Sequence, residues 1–267
     1  MSVYNGERYL KEAVESILNQ TFKDFEFIII NDGSTDKSPQ ILDEYTKRDR
    51  RTRVIHQKNI GLTKSLNKAL KLAQGKYIAR IDADDIAYKS RFKKQVDFLE
   101  KHPKVGLVGN YVDVIDERGK NIGRLIYPTS DKKIKKELIK KNPFCHPSVM
   151  FKKEVTKKVG VYNEDFGAAQ DYDFWMRISK HYQIANLSEV LGAWRLRKKA
   201  ITFQKNISQI KANLRIQIKA IKDGLYPWYY LIFLLRTIFL FVFPIRFRSF
   251  IKKRFLWKKR THHQDTK

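Results

Sequence analysis

Two apolar runs of strand length that each end in an acidic turn constrain this chain more than any other feature. Residues 25–30 break at Asn31-Asp32-Gly33-Ser34, and residues 77–81 run directly into Asp82-Ala83-Asp84-Asp85. Around them lie helical stripes. Leu10, Val14, Ile17 and Leu18 share one face; Ile41, Leu42 and Tyr45 follow the capping pair Ser38-Pro39; Leu62, Leu66, Ala69, Leu70 and Ala73 form a third stripe. A short strand is expected at 53–56. Strands alternating with helices of about 10–15 residues predict an α/β fold with a parallel, helix-covered sheet.

The rhythm changes after about residue 100. Strands are expected at 105–108, 111–115 and 121–127, around the turn Asp116-Glu117-Arg118-Gly119, with mixed or antiparallel pairing. A basic helix follows at about 131–141, then a strand at 148–151 and a helix at about 172–179. The boundaries expected are an α/β domain at 1–203, whose rhythm divides it into halves at about 1–100 and about 101–203. A helical, basic extension occupies 204–267.

Net charge is +27, from 55 Lys and Arg against 28 Asp and Glu, which implies attraction to an anionic partner. Much of it gathers at the C-terminus, where Arg246, Arg248, Lys252, Lys253, Arg254, Lys258, Lys259 and Arg260 follow a nearly continuous apolar and aromatic stretch at 225–245. That stretch is long enough to cross a bilayer at roughly 20 residues per span. Arg236 near its middle would cost roughly 2.5–3.5 kcal/mol at the bilayer centre, which favours a segment lying in the interface. Trp228, Tyr229, Tyr230 and Trp257 suit that position. A core helix followed by a solvated tail is the alternative. No secretory signal is visible at the N-terminus and the single cysteine, Cys145, has no disulfide partner, so a cytoplasmic protein, peripheral on the inner face of the membrane, is expected. Cys145 reads as a buried small residue.

Acidic residues are scarce, so three in the four positions 82–85 need a reason beyond solubility. Asp82 and Asp84 point to one side of an extended chain, and carboxylates that close repel unless a cation lies between them. Mg²⁺ or Mn²⁺ would suit, since hard ions take carboxylate oxygens and complete their shell with substrate phosphates. A solvated turn is the alternative for an isolated D-x-D. The second acidic turn, Asn31 to Asp36, would lie on the same sheet edge and close a cleft with the first.

With these turns in order along the chain come V-Y-N-G-E, Q-T-F, N-D-G-S-T-D, N-x-G-L, Y-I-A-R-I-D-A-D-D, N-P-F-C-H-P-S-V-M-F and Q-D-Y-D-F-W-M-R. Over about residues 3–200 the chain resembles the family 2 glycosyltransferases. The resemblance implies a GT-A fold: a Rossmann-like nucleotide-diphospho-sugar transferase with a mixed sheet flanked by helices, here with a C-terminal helical, amphipathic, membrane-associated segment. It implies that Tyr4 packs on a nucleotide base, that Asp32 accepts an N–H from it, and that Glu7, Asn59, Gly61 and Arg80 lie on the nucleotide side. Asp82 and Asp84 match the pair that contacts ribose and a diphosphate-bound Mn²⁺ or Mg²⁺; Asp85 assists or caps the next helix. Arg80 either adds charge near the phosphates or pairs with one of these acids.

Asp171 matches the base that deprotonates an acceptor hydroxyl in an inverting transfer, with Gln170 where relatives carry Glu; Asp173, two positions on, should face elsewhere. Trp175 is either core or a sugar platform. His146 lies on an acceptor-side loop or merely fixes it. Arg195 and Arg197 stand where relatives carry Arg-x-His, so a third metal ligand is replaced by a group suited to direct phosphate binding. The family's first apolar strand is reduced here to Met1-Ser2-Val3, and a start codon assigned late is the expected cause; the alternative is a missing strand that exposes its neighbours' pairing edges.

The activity expected is therefore transfer of a sugar from a nucleotide-sugar donor, expected to be UDP-linked, to a lipid-linked glycan acceptor of a surface polysaccharide, at the cytoplasmic membrane surface and without nucleic acid. A sugar nucleotidyltransferase of related fold, a basic nucleic-acid-binding protein and a non-catalytic membrane adaptor are the competing readings.

Overall fold

The structure, a computed structural model, describes residues 1–197, 206–235 and 238. Strands β1 (Ser2–Val3), β2 (Phe27–Asp32) and β3 (Thr52–Gln57) form a parallel sheet in the order β1-β2-β3, linked by helices α1 (Glu7–Leu18) and α2 (Ser38–Arg48). Every residue of β2 is buried. A parallel strand covered on both faces has no solvent side, which is why its sequence is continuously apolar up to the polar pair Asn31-Asp32 at its end, which still pairs with β3. The expected first strand is present but only two residues long, and Met1 extends its hydrogen bonding, its amino group donating to Ile28 O at 2.9 Å.

After α3 (Leu62–Leu72) a second, mixed sheet begins: β4 (Tyr77–Ala79), β5 (Ile86–Ala87), β6 (Val105–Ile115), β7 (Asn121–Leu125), β8 (Met150–Lys152) and β9 (Gln183–Arg195). Its order is β4-β8-β6-β9-β5, with β7 also on β6; β6 and β9 run parallel and the other pairs antiparallel. The strand before the acidic turn is thus not the parallel strand expected at 77–81. It stops at Ala79 and pairs antiparallel with β8, and Arg80 N still donates to Val149 O at 3.0 Å. The strands expected separately at 105–108 and 111–115 are one, with a register shift against β9 at Asn110/Tyr111. Gly109 lets those strands approach, since a Cβ there would fall 2.2 Å from Asn186 Oδ1.

Helices α4 (Arg91–Lys101), α5 (Asp131–Leu138), α6 (Val155–Val159), α7 (Gln170–His181) and α8 (Asn206–Lys222) complete the fold. Two apolar cores result. One joins Val3, Leu10, Val14, Ile29 and Leu42 to Leu99 and Val108. The other joins Leu107, Ile134, Phe151, Tyr172, Phe174 and Trp175 to Ala212, Ile216 and Ala220 of α8. At roughly 1.5–3 kcal/mol for each large apolar side chain fully buried, this core also anchors the C-terminal helix. Gln217 Nε2 donates to Ile139 O at 2.7 Å and Tyr226 Oη to Lys135 O at 2.8 Å, fixing α8 and the turn after it to α5.

Beyond that turn a 3-10 segment, Trp228–Phe233, leaves Trp228 77% and Ile232 63% exposed. Among the described residues no helix is long and apolar enough to cross a membrane. Arg236, Trp257 and the basic residues from Arg246 onward lie outside the described residues.

Candidate active site

The turns that follow β1 and β2 are stitched together by side chains. Asn5, at φ 50°, donates its backbone N–H to Ser34 Oγ at 3.0 Å and accepts from Thr35 N at 2.8 Å. Glu7 N donates to Asp36 Oδ2 at 3.0 Å while Lys37 N donates to Glu7 Oε2 at 2.9 Å, so each helix start receives a carboxylate from the other. Glu7 is thereby a brace between loops, and Asp36, to which the sequence assigned no role, is its counterpart. Ser38 is the first helical residue of α2 and accepts from Gly6 N at 2.9 Å instead of capping its own helix.

Asp32 is buried at the end of β2 and faces the loop at 59–61. Its Oδ1 accepts from Gln57 Nε2 at 2.8 Å and Ile60 N at 2.9 Å, and its Oδ2 from Gly61 N at 2.9 Å. Burial alone would raise its pKa, but these donors outweigh it and hold the carboxyl below its usual value. The carboxylate expected to accept from a nucleotide base already accepts from this protein. Gly33, at φ 76°, allows the contact between turns, for a Cβ there would meet Asn59 N at 2.6 Å. Tyr4, just after β1, is 57% exposed.

The acidic turn after β4 has a different environment. Carboxylate oxygens of Asp82, Asp84 and Asp85 lie within 4.8 Å of one another. Asp85 Oδ1 accepts from Arg195 N at 2.7 Å, while its buried Oδ2 has no partner. Burial first, and then the charges of Asp82 and its immediate neighbours, push the Asp84 and Asp85 carboxyls upward, Asp85 strongly. Arg80 is buried and pairs with Asp82, with its Nε and Nη1 unpartnered. Arg197 Nε lies 2.6 Å from Asp84 Oδ2. Three hard oxygen donors this close, one of them lacking any partner, fit a divalent cation.

Arg195 does not fit the phosphate-side role. It is buried, and its guanidinium donates to Asp84 O at 2.9 Å, Asp116 O at 3.2 Å and Glu12 Oε2 at 2.5 Å while covering the Tyr9 ring. It holds the acidic turn in shape. Arg91, which was not singled out in the sequence, ties the end of β4 to the 147–149 segment: fully buried, it donates to Arg80 O at 2.7 Å, Pro147 O at 3.0 Å and Val149 O at 3.0 Å. Burial lowers its pKa to about 9.

Asp171 lies in the first turn of α7 and is half-buried. Its Oδ2 accepts from Asn142 Nδ2 at 2.7 Å, and burial raises its pKa, opposed by Arg80 and Asn142. The charge of Arg80 is felt by Asp82, Tyr162, His146 and Asp171, which links the acidic turn electrostatically to the start of α7. Asp173, in contrast, is buried against Arg177, whose Nε donates to it at 2.8 Å; it faces elsewhere, as its spacing predicts. Asn142 was visible only as part of N-P-F and had no assigned role.

His146 Nε2 lies 3.0 Å from Tyr162 Oη, and burial followed by the Arg80 charge keeps the ring neutral, well below its usual pKa. Trp175 has no exposed surface and packs against Phe144, His146, Phe151 and Tyr162. It cannot offer a face to a sugar, and the platform reading is corrected to core. Gln170 is buried at the helix start, and Cys145 is a buried thiol pushed up by desolvation.

Comparison with known proteins gives a consistent result. A family model described as Glycosyl transferase family 2 matches residues 1–160. An uncharacterised glycosyltransferase of Methanocaldococcus jannaschii is 42% identical over 202 residues, covering 73% of this chain and 69% of that protein. The O-antigen biosynthesis glycosyltransferase WbnJ of Escherichia coli is 36% identical over 204 residues, covering 75% and 79%. Among solved structures, S. aureus TarS in complex with UDP-GlcNAc superposes with TM-score 0.71 at 20% identity, over 90% of this chain and 70% of that one. The Pyrobaculum calidifontis mannosyltransferase PcManGT, in complex with GDP-Man and Mn²⁺, does so with TM-score 0.66 at 19% identity, over 90% and 68%.

Proposed function

The chain belongs to glycosyl transferase family 2 and has a GT-A-like fold, and from that premise we propose that it is an inverting, metal-dependent transferase acting on a nucleotide-sugar. The observation that carries this reading is the cluster itself: carboxylate oxygens of Asp82, Asp84 and Asp85 lie within 4.8 Å of one another with the buried Asp85 Oδ2 unpartnered, whereas Asp32 is satisfied by amide donors.

Asp82, Asp84 and Asp85 would hold Mn²⁺ or Mg²⁺, and PcManGT, described with Mn²⁺, supports that choice. A cation there would neutralise the negative charge that grows on the leaving nucleoside diphosphate, a stabilisation greatest in the transition state. Tyr4 packs against the base, and Asp32 shapes the 59–61 wall beside it. Arg197 contributes positive charge toward the phosphates. Asp171 accepts the proton of the acceptor hydroxyl as its oxygen bonds to the anomeric carbon and the bond to the diphosphate breaks on the opposite face. A carboxylate whose pKa is raised by desolvation is a better base for this step. Asn142 fixes its orientation.

We assign the donor a UDP-linked sugar and the acceptor a lipid-linked glycan of a surface polysaccharide, in keeping with a relative that acts in O-antigen biosynthesis and a fold neighbour bound to UDP-GlcNAc. The exposed Trp228, Tyr229 and Ile232 lie on the 3-10 segment that follows α8, and α8 packs against the core that includes α7, the helix that bears Asp171. The exposed aromatic and apolar side chains of this segment support a reading in which the protein works at the inner membrane surface.

The test is incubation with UDP-sugars and a lipid-linked glycan acceptor, with Mn²⁺ or with chelator. Release of nucleoside diphosphate that stops with chelator is expected. Release of pyrophosphate from nucleoside triphosphate and sugar phosphate would instead identify a nucleotidyltransferase.

A further inference from the structure

Three arginines reach the acidic turn, and they are held very differently. Arg80 has a side chain only 5% exposed, beneath Asp82. Arg195, 2% exposed, is tied down by Asp84 O, Asp116 O and Glu12. Arg197 is 39% exposed, lies two residues past the end of β9, and meets the turn through its ion pair with Asp84, itself 19% exposed. Of these three only Arg197 can swing away without breaking a buried network.

Its position conflicts with a cation on the same carboxylate. A divalent ion on an Asp84 oxygen and a guanidinium nitrogen 2.6 Å from Oδ2 of the same carboxylate, paired by charge and without a hydrogen bond, would repel each other as like charges. The buried Arg80, with two donor nitrogens unpartnered and Asp82 beside it, remains in place either way.

We propose that Arg197 is an internal counter-ion that latches the empty donor site. With no donor bound it occupies Asp84; the divalent cation displaces it, and the freed guanidinium turns to the diphosphate that arrives with the cation. This rests on the donor-site reading above and adds to it a defined coupling. Cation alone binds weakly because it must break the latch, and the nucleoside diphosphate strengthens cation binding by giving Arg197 a new partner. By linkage the cation strengthens nucleotide binding by the same factor.

The experiment measures Mn²⁺ affinity from the free-ion EPR signal for the wild-type chain, Arg197→Ala and Arg197→Lys, first with Mn²⁺ alone and then with UDP and GDP in turn. Arg197→Ala should bind Mn²⁺ alone about tenfold more tightly than wild type, and the enhancement that a nucleotide gives should shrink. Arg197→Lys retains the charge and should stay near wild type, which separates loss of the latch from a disturbed fold. Unchanged or weaker Mn²⁺ binding in Arg197→Ala would overturn the latch. If the wild type shows metal-dependent nucleotide binding in that case, the donor-site reading stands and the latch alone fails. If neither Mn²⁺ nor nucleotide binds to any of the three proteins, the donor-site reading falls with it.

Discussion

The acids of the two turns begin from similar sequence surroundings and end in opposite states. Asp32 and Asp36 follow a buried strand and accept backbone N–H groups from Ile60, Gly61, Glu7 and Ser38, which hold both carboxyls below their usual values against the opposing effect of burial. Asp84 and Asp85 follow β4 and are pushed upward by burial and then by the charge of Asp82 beside them. The first pair is consumed in building loops. The second is left electrostatically unfinished, a state that costs stability and persists where a ligand completes it.

The largest effect that separates the two sets should come from Asp84→Ala. Turnover should fall at least about a thousandfold, because several kcal/mol of charge stabilisation depends on the cation. Its melting temperature should not fall, since removing one of three crowded carboxylates relieves repulsion. Turnover within tenfold of wild type would place the chemistry elsewhere.

Asp171→Asn should lower kcat by about 10²–10⁴-fold with donor binding preserved. The acid limb of the wild-type kcat profile should lie above the ordinary carboxylate range, in line with the upward shift of Asp171. Loss of donor affinity with kcat intact would remove Asp171 from the proton transfer.

Asp32→Ala reverses the order of effects. It strands the Ile60 and Gly61 amides and the Gln57 side chain, and unpaired buried donors cost about 1–3 kcal/mol each. Chemical denaturation should show a loss of a few kcal/mol, larger than for Asp84→Ala; equal stabilities would erase the distinction between the two turns.

A smaller effect should appear in the pH dependence of stability. For Asp32 and Asp36 the folded pKa is depressed, so their contribution is present above about pH 4 and is lost as pH falls through the folded value. Asp84 and Asp85 have raised folded values, so the cation-free protein loses stability as pH climbs above about 4. Melting temperatures with and without Mn²⁺ should therefore diverge with rising pH. A gap of constant size would contradict the raised carboxyls.

The sequence made much of this site legible. The unbroken apolarity of β2 signalled a doubly covered strand, and the i, i+2 spacing distinguished Asp171 from Asp173, now paired with Arg177. Other features had no local signature. Strand β9 mixes buried Ile184, Leu191 and Ala193 with exposed Ser188 and Glu189, because one part lies inside the sheet and another near its surface, so neither alternation nor an apolar run marks it. Arg195 reads as a phosphate-side group and Arg91 carries no signal at all; only the folded chain shows their donors turned inward onto carbonyls and, for Arg195, onto Glu12. Trp175 could be core or platform by type alone, and the packing of α7 decided it.

The most direct test of the central claim is a thermal-shift titration of the wild-type chain and Asp84→Ala with UDP and GDP, each with Mn²⁺ or with chelator. At a hundredfold excess over Kd a ligand stabilises by about 2.7 kcal/mol, a shift of several degrees. The account predicts a shift for the wild type only when nucleotide and Mn²⁺ are both present, and none for Asp84→Ala. A shift that survives both chelator and the substitution would show that the nucleotide binds without the acidic turn, contrary to the role given to it.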